Sequence, residues 1–171
     1  KKLLEGKNQQ LAFEPPDINR LYGKSMGMGT LGGVLACNLS GPRRIQAGAA
    51  RDHFLGFEAV SGRGEIFKSG GRVVKNVTGF DLSKLLAGSF GTLAIMTSIS
   101  IKVLPKPEKT RSILVFGLNV EDAITVMNTA LSSPNEVNAV AHLPEKLSEK
   151  SKVDYVRHSS EAVTVIRVQG P

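Results

Sequence analysis

The chain has 171 residues, 41% of them hydrophobic, enough for one domain with a core or for one domain and part of another. Its formal net charge is +7, its single cysteine excludes an internal disulfide and a cysteine-built zinc site, and no run of about 18 apolar residues exists to cross a membrane as a helix. Aromatic content of 5%, with no Trp, argues against stacking platforms for single-stranded nucleic acid.

The charge is unevenly spread. Up to Glu108 there are 15 Lys and Arg against 8 Asp and Glu, whereas from Lys109 onward there are 7 of each. Of 18 glycines, 16 precede Pro105. Both shifts meet at Pro105-Lys106-Pro107, which reads as a domain boundary. A basic first part suits an anionic cofactor, nucleic acid or an acidic partner. The lone cysteine fits a reducing compartment. No secretory leader is visible, and Lys1-Lys2-Leu3-Leu4 reads as the tail of a longer helix.

In chain order, residues 1–13 predict a helix end and then a short strand, Leu11-Ala12-Phe13, stopped by Pro15-Pro16. Residues 17–30 read as loop. Leu31 to Leu39 is at most a short helix, stopped by Gly41-Pro42. Residues 43–53 read as a basic, small-residue loop. Phe54 to Val60 is a strand, Ser61-Gly62-Arg63-Gly64 a turn, and Glu65 to Lys68 the returning arm of a hairpin.

The stretch Gly71–Pro105 is the most informative. Lys75-Asn76 precedes a turn at Thr78-Gly79, and a short helix follows, opened by Asp81 and closed by Gly88. Ser89-Phe90-Gly91-Thr92 then leads into the period-two run Ile95, Thr97, Ile99, Ile101, Val103, read as a half-buried strand. Gly88 and Gly91 allow backbone N–H groups to approach an anion without a Cβ in the way. Beyond the boundary the pattern predicts a strand (112–118), a helix (120–131, with Asn119 as N-cap) and strands near 137–142 and 162–168. That order suggests a ferredoxin-like α+β layer.

Several clusters have competing readings. Gly27-Met28-Gly29-Thr30-Leu31-Gly32 is literally G-x-G-x-x-G, with Asp52 twenty residues on. A Rossmann turn needs a strand before it and a full crossover helix after it. Leu21-Tyr22-Gly23-Lys24 is no strand and Pro42 ends the helix early, so that reading is rejected. Thr30 to Gly33 still opens a helix, a place where anions bind. Arg43, Arg44, Arg51 and Asp52 are either a solvated loop or, for Arg51, a bidentate anion contact. Lys75, Asn76 and Thr78 are candidates for a small acid substrate, against the plain reading of surface residues. His53, His142 and His158 lack metal-ligand spacing and read as surface or loop histidines, so no metal is expected. Cys37 reads as a small buried side chain.

Three blocks carry a family resemblance: GTLGGVLACNLSGPRR (Gly29–Arg44), GAARDHFLG (Gly48–Gly56) and GGRVVKNVTGFDLSKLLAGSFGTLAIMTSISIKVLPKP (Gly70–Pro107). They resemble the FAD-binding domain of the vanillyl-alcohol oxidase / PCMH flavoprotein family. The resemblance is close over residues 1–107 and looser beyond. It implies an α+β fold with FAD held extended between two subdomains. Residues 1–107 would be the C-terminal part of the FAD-binding domain, without its first subdomain, and residues 108–171 part of a ferredoxin-like cap domain.

Carried over by motif, Gly29, Thr30, Leu31, Gly32, Gly33 and Asn38 should line flavin and pyrophosphate. Arg51 and Asp52 should lie near the same groove, and Gly88, Gly91, Thr92 and Ile95 along the adenosine part. The implied activity is oxidation of glycolate or a related D-2-hydroxy acid, with hydride transfer from C2 to flavin. The alternative is a non-catalytic flavin-binding or scaffold subunit. Lys75, Asn76 and Thr78 would meet the substrate. The implied partners are a second flavoprotein subunit and an iron–sulfur subunit, with no nucleic acid and no transmembrane segment. The implied location is cytoplasmic, or peripheral at the inner membrane through those partners. Residues 1–171 alone are expected to hold FAD weakly or not at all, with half of the cradle absent.

Overall fold

The structure is a computed structural model, and it describes residues 2–23, 25, 27, 29–72 and 79–170. The expected substrate residues Lys75, Asn76 and Thr78 lie outside them. The chain divides into two compact units, Lys1–Lys106 and Pro107–Pro171, and its content of helices and strands is α+β. Among the described residues no helix is long and apolar enough to cross a membrane.

In the first unit the elements are α1 (Lys2–Glu5), β1 (Gln9–Gln10), a 3-10 segment (Ile18–Tyr22), α2 (Leu31–Ala36), α3 (Arg44–Ala47), α4 (Ala50–His53), β2 (Phe54–Ser61), β3 (Ile66–Gly70), α5 (Leu82–Leu86), β4 (Ala94–Ile101) and β5 (Leu104–Pro105). β2 is the centre of an antiparallel sheet ordered β3-β2-β4. β1 and β5 form a separate two-stranded pair.

The β2–β3 hairpin forms where the sequence indicates, and its open end is unusually tight. A Cβ on Gly70 would lie 2.2 Å from the Leu55 carbonyl oxygen, and one on Gly56 would lie 2.5 Å from the Gly71 nitrogen. Two bulges shape β2 against β4. Between the pairs Phe54↔Ile101 and Gly56↔Ser100, Leu55 is the extra residue. Between Glu58↔Ser98 and Ala59↔Met96, Thr97 is extra, and its hydroxyl donates to the Glu58 carbonyl at 3.1 Å. A bulge reverses which side chains face inward. The expected single face of Ile95, Thr97, Ile99 and Ile101 is therefore broken. Ile99, Ile101 and Met96 pack on the core, while Ile95 is 72% exposed.

The core gathers Phe13, Leu35, Ala50, Phe54, Phe57, Ala59, Leu86 and Ala94. Three expectations change here. Ala12 and Phe13 are fully buried, but the strand runs over Gln9–Gln10 and residues 11–13 turn into the core instead. Residues 43–53 are not a plain loop but carry α3 and α4. The Asp52 carboxylate accepts from the Ala49 amide at 2.8 Å, which starts α4, and Ala50 is small enough to bury completely. His53, expected near the surface, is 2% exposed. Its ring lies 5.3 Å from that of Phe13, and its Nε2 is 2.8 Å from the Ala47 carbonyl oxygen.

The second unit contains β6 (Lys109–Phe116), α6 (Val120–Leu131), β7 (Val137–Leu143), α7 (Glu145–Ser148), α8 (Asp154–Arg157) and β8 (Val163–Gly170). The sheet order is β6-β8-β7, with β8 antiparallel to both neighbours. β6 and β7 therefore run parallel, and α6 is their crossover, a split β-α-β arrangement. α6 starts at its expected cap: Asn119 Oδ1 accepts from the Asp122 amide at 2.9 Å. His142 is half-buried, with Nδ1 2.9 Å from Thr164 Oγ1.

Candidate functional site: a glycine-walled groove beside α2

α2 has only six residues, Leu-Gly-Gly-Val-Leu-Ala. Two glycines and so short a length would leave it unstable in isolation, so its ends must be held. At the N-terminal end Thr30 Oγ1 accepts from the Gly33 amide at 3.0 Å, an N-cap bond. Upstream, the Asp17 carboxylate accepts from Asn19 N at 3.1 Å, Asn19 Nδ2 at 2.8 Å and the Gly27 amide at 2.6 Å. That Asx turn fastens the glycine-bearing strand of chain to the 3-10 segment.

At the C-terminal end Asn38 adopts φ +50°. Its amide donates to the Leu35 carbonyl at 2.9 Å, and the Leu39 amide donates to the Val34 carbonyl at 2.9 Å. These two bonds are the Schellman closure, and asparagine is one of the few residues besides glycine that tolerates its left-handed position. The segment after α5 joins the same end. The Gly88 and Phe90 amides donate to the carbonyls of Leu35 and Ala36 at 3.1 and 2.8 Å.

A groove of about 640 Å³ runs along the other side of α2. Leu11, Pro15, Pro16 and Ile18 form an apolar wall, and Gly29, Thr30, Leu31, Gly33, Val34 and Cys37 face it. Gly29 is the informative glycine. Its backbone is not in the left-handed region, and among the described residues a Cβ there would meet only Asn19 Nδ2 at 3.5 Å, an ordinary contact. Neither backbone conformation nor internal packing requires glycine at 29. Similar open space occurs at Gly62, Gly71 and Gly170; at Gly29 it borders the groove, which leaves room for a group to lie against the backbone, as a dinucleotide would. Cys37, expected as a small buried side chain, is half-buried and lines this groove.

The expected cofactor residues thus fall into groups. Gly29, Thr30, Leu31 and Gly33 line the groove. Gly32 is turned the other way, its absent Cβ directed toward Ile99 Cδ1 at 3.9 Å. Asn38 caps α2, and its Oδ1 accepts from the Arg51 amide at 2.9 Å. Arg51 Nε donates to the Lys84 carbonyl at 3.2 Å. Asp52 is engaged in starting α4. Gly88 and Gly91 have φ of +87° and +75°. Gly88 belongs to the segment bonded to the end of α2. Thr92 Oγ1 donates to the Ser89 carbonyl at 2.7 Å within the following turn. Ile95 is exposed on β4.

Sequence reasoning missed Pro15, Asp17 and Asn19, although Asp-x-Asn is an Asx-turn signal. It also missed Lys84, discussed below. The G-x-G-x-x-G run follows a 3-10 segment rather than a strand, as its rejection as a Rossmann turn requires. Among the described residues no group of three or more His, Cys, Asp or Glu is placed to hold a metal ion.

No protein-family model matches the chain. Relatives do. Over 163 residues, 93% of this chain, it is 32% identical to the glycolate oxidase subunit GlcD of Bacillus subtilis strain 168. A solved alkyldihydroxyacetonephosphate synthase superposes on 99% of the chain, and 32% of its own, with TM-score 0.70 at 21% identity, a likeness of fold alone. The chain belongs to the family of FAD-linked oxidoreductases that includes the glycolate oxidase subunits. Within that class it is 46% identical to the glycolate oxidase subunit GlcE of Escherichia coli K12, over 110 residues and 64% of the chain. It spans about a third of these relatives' lengths, 29% of that GlcE and 33% of that GlcD.

Proposed function

We propose that the chain is the FAD-carrying part of a glycolate oxidase subunit, which oxidises glycolate or a related D-2-hydroxy acid. The observation that carries this reading is the bare main chain at Gly29, lining a groove in a chain closely similar to GlcE. Residues 1–107 form the C-terminal part of the FAD-binding domain. Residues 108–171 are part of a ferredoxin-like cap domain, a reading supported by the split β-α-β order of their sheet.

The chemistry FAD supplies when bound is acceptance of a hydride from C2 of the hydroxy acid. The chain's own residues bind and orient. Gly29, Thr30, Leu31 and Gly33 present the groove wall, and Asn38, Arg51, Asp52, Gly88, Gly91 and Thr92 hold or border it. Gly32 and Ile95, turned elsewhere, support the wall only indirectly. The excess of cations before Glu108 favours an anionic pyrophosphate. Lys75 pairs with the substrate carboxylate, with Asn76 and Thr78 as hydrogen-bond donors. The partners are a second flavoprotein subunit and an iron–sulfur subunit, which gather on the cytoplasmic side of the membrane.

A visible-spectrum scan of the full-length polypeptide carrying these residues tests the reading. Stoichiometric flavin that bleaches on anaerobic addition of glycolate is the expected result. Flavin that stays oxidised would reassign the subunit to electron relay or scaffolding. Absence of flavin would remove the proposal altogether.

A further inference from the structure

We propose that Lys84 is a positioning residue for the flavin groove, an inference that rests on the function proposed above. Lys84 lies in α5 and does not line the groove. Its ammonium donates to the Arg51 carbonyl at 2.7 Å and to the Phe54 carbonyl at 2.8 Å. Arg51 answers by donating Nε to the Lys84 carbonyl at 3.2 Å, and the Arg51 amide donates to Asn38 Oδ1 at 2.9 Å. The links run without a gap from α5, through the α4–β2 junction, to the residue that closes α2.

The same end of α2 receives the Gly88 and Phe90 amides, which follow α5 directly in the chain. α5 therefore grips α2 twice, once through Lys84 and once through its own continuation. α2 cannot hold its place by helical stability alone, so this grip sets where its groove face stands.

The chemistry of Lys84 separates this role from simple attraction of an anion. Its ammonium is half-buried and commits two of its three donors to backbone carbonyls. Among the described residues it forms no ion pair with a carboxylate. Asn38 and Arg51, expected as cofactor contacts, become the intermediate links of the clasp.

The test uses apo-protein of the full-length polypeptide, titrated with FAD and followed by flavin fluorescence. Lys84→Met keeps the aliphatic stem and removes the donors. The expected result is a Kd about tenfold higher, the part of the two lost charge-assisted hydrogen bonds that is felt at the groove. That ratio should stay the same in added salt, and turnover at saturating FAD should be unchanged. Lys68→Met removes an equal charge from the exposed face of β3, opposite Glu58, and should leave the Kd at the wild-type value. Asn38→Gly keeps the left-handed backbone but loses the acceptor. It guards against misfolding of the first variant, and should weaken FAD in the same direction with a native circular dichroism spectrum. The proposal is overturned if Lys84→Met and Asn38→Gly bind FAD as tightly as wild type, or if Lys68→Met weakens binding as much as Lys84→Met. Wild-type protein without flavin would sink the functional reading, and the clasp's role with it.

Discussion

In residues 107–171 most long-range hydrogen bonds run from strand to strand, with Ser148 Oγ donating to the Glu161 carbonyl at 2.7 Å as an exception. β8 is matched continuously to β6 from Lys109↔Gly170 to Phe116↔Val163, and to β7 from Ala139↔Arg167 to Leu143↔Val163, with one register shift between Val137 and Ala139. In residues 1–106 many decisive bonds run instead from a side chain to distant backbone. Examples are Glu14 to the Arg43 amide, Ser40 to the Ala50 amide, Asn38 to the Arg51 amide and Lys84 to two carbonyls. A ladder repeats one interaction, so it tolerates variation along its length. A set of individual ties holds irregular main chain where a groove needs it, and each tie depends on one residue. The glycine-rich, irregular unit is therefore the one suited to carry a ligand site, and the regular unit needs far fewer special residues.

The cores differ in the same sense, which gives the largest expected effect. The large side chains buried completely in the first unit are Phe13, Phe54 and Leu35. In the second unit Val163 is the largest described, accompanied by the polar Asn138, Thr164 and Ser148. Phe54→Ala should cost about 3–5 kcal/mol in chemical denaturation. Val163→Ala removes two methyl groups and should cost about 2 kcal/mol. Equal costs would show that buried size does not distinguish the two cores.

Backbone strain gives the next contrast. Gly70 and Gly117 share nearly the same φ, +72° and +74°. At Gly70 an added Cβ meets the Leu55 carbonyl oxygen at 2.2 Å, whereas at Gly117, among the described residues, it meets only the end of Glu161 at 3.5 Å. Gly117→Ala should therefore cost about 1 kcal/mol for conformation alone. Gly70→Ala adds a backbone clash and should cost on the order of 3 kcal/mol. Hydrogen exchange at the Gly71 amide, which donates to that same Leu55 carbonyl at 3.2 Å, should accelerate in Gly70→Ala. A cost at Gly70 no larger than at Gly117 would mean that the open end of the hairpin yields freely.

The same contrast explains what could be read in advance. α6 occupies Val120–Leu131 with its Asn119 cap because periodicity and capping are local properties. The β2–β3 hairpin was legible for the same reason. The face of β4 was not, because the bulges at Leu55 and Thr97 arise from pairing with β2, and nothing in the alternation of residues 95–103 announces them. The buried state of His53 was hidden likewise, since it depends on Phe13, forty residues away in the chain. At the groove, glycine spacing and the Thr30 cap pointed to residues that line it. The opposing Pro15–Asn19 wall and the Lys84 tie are products of tertiary contact, and the sequence offered only the weak Asx signal at Asp17.

The smallest effect is also the sharpest comparison, because an N-cap of the same design opens α2 in one unit and α6 in the other. Thr30 Oγ1 accepts from Gly33 at 3.0 Å, and Asn119 Oδ1 accepts from Asp122 at 2.9 Å. Alanine at either position should cost about 1 kcal/mol. The consequences should nonetheless diverge. α6 has twelve residues and can fray by a turn while its later turns stay packed on the sheet, so Asn119→Ala should leave FAD affinity unchanged. α2 has six residues, so losing its first turn removes much of the groove wall. Thr30→Ala should raise the Kd for FAD severalfold, close to the stability cost expressed as affinity. The paired titration separates a site built on one short helix from a site spread over the whole unit. In the second case Thr30→Ala would bind FAD as tightly as Asn119→Ala does, and α2 would lose its claim to be the wall on which the ligand rests.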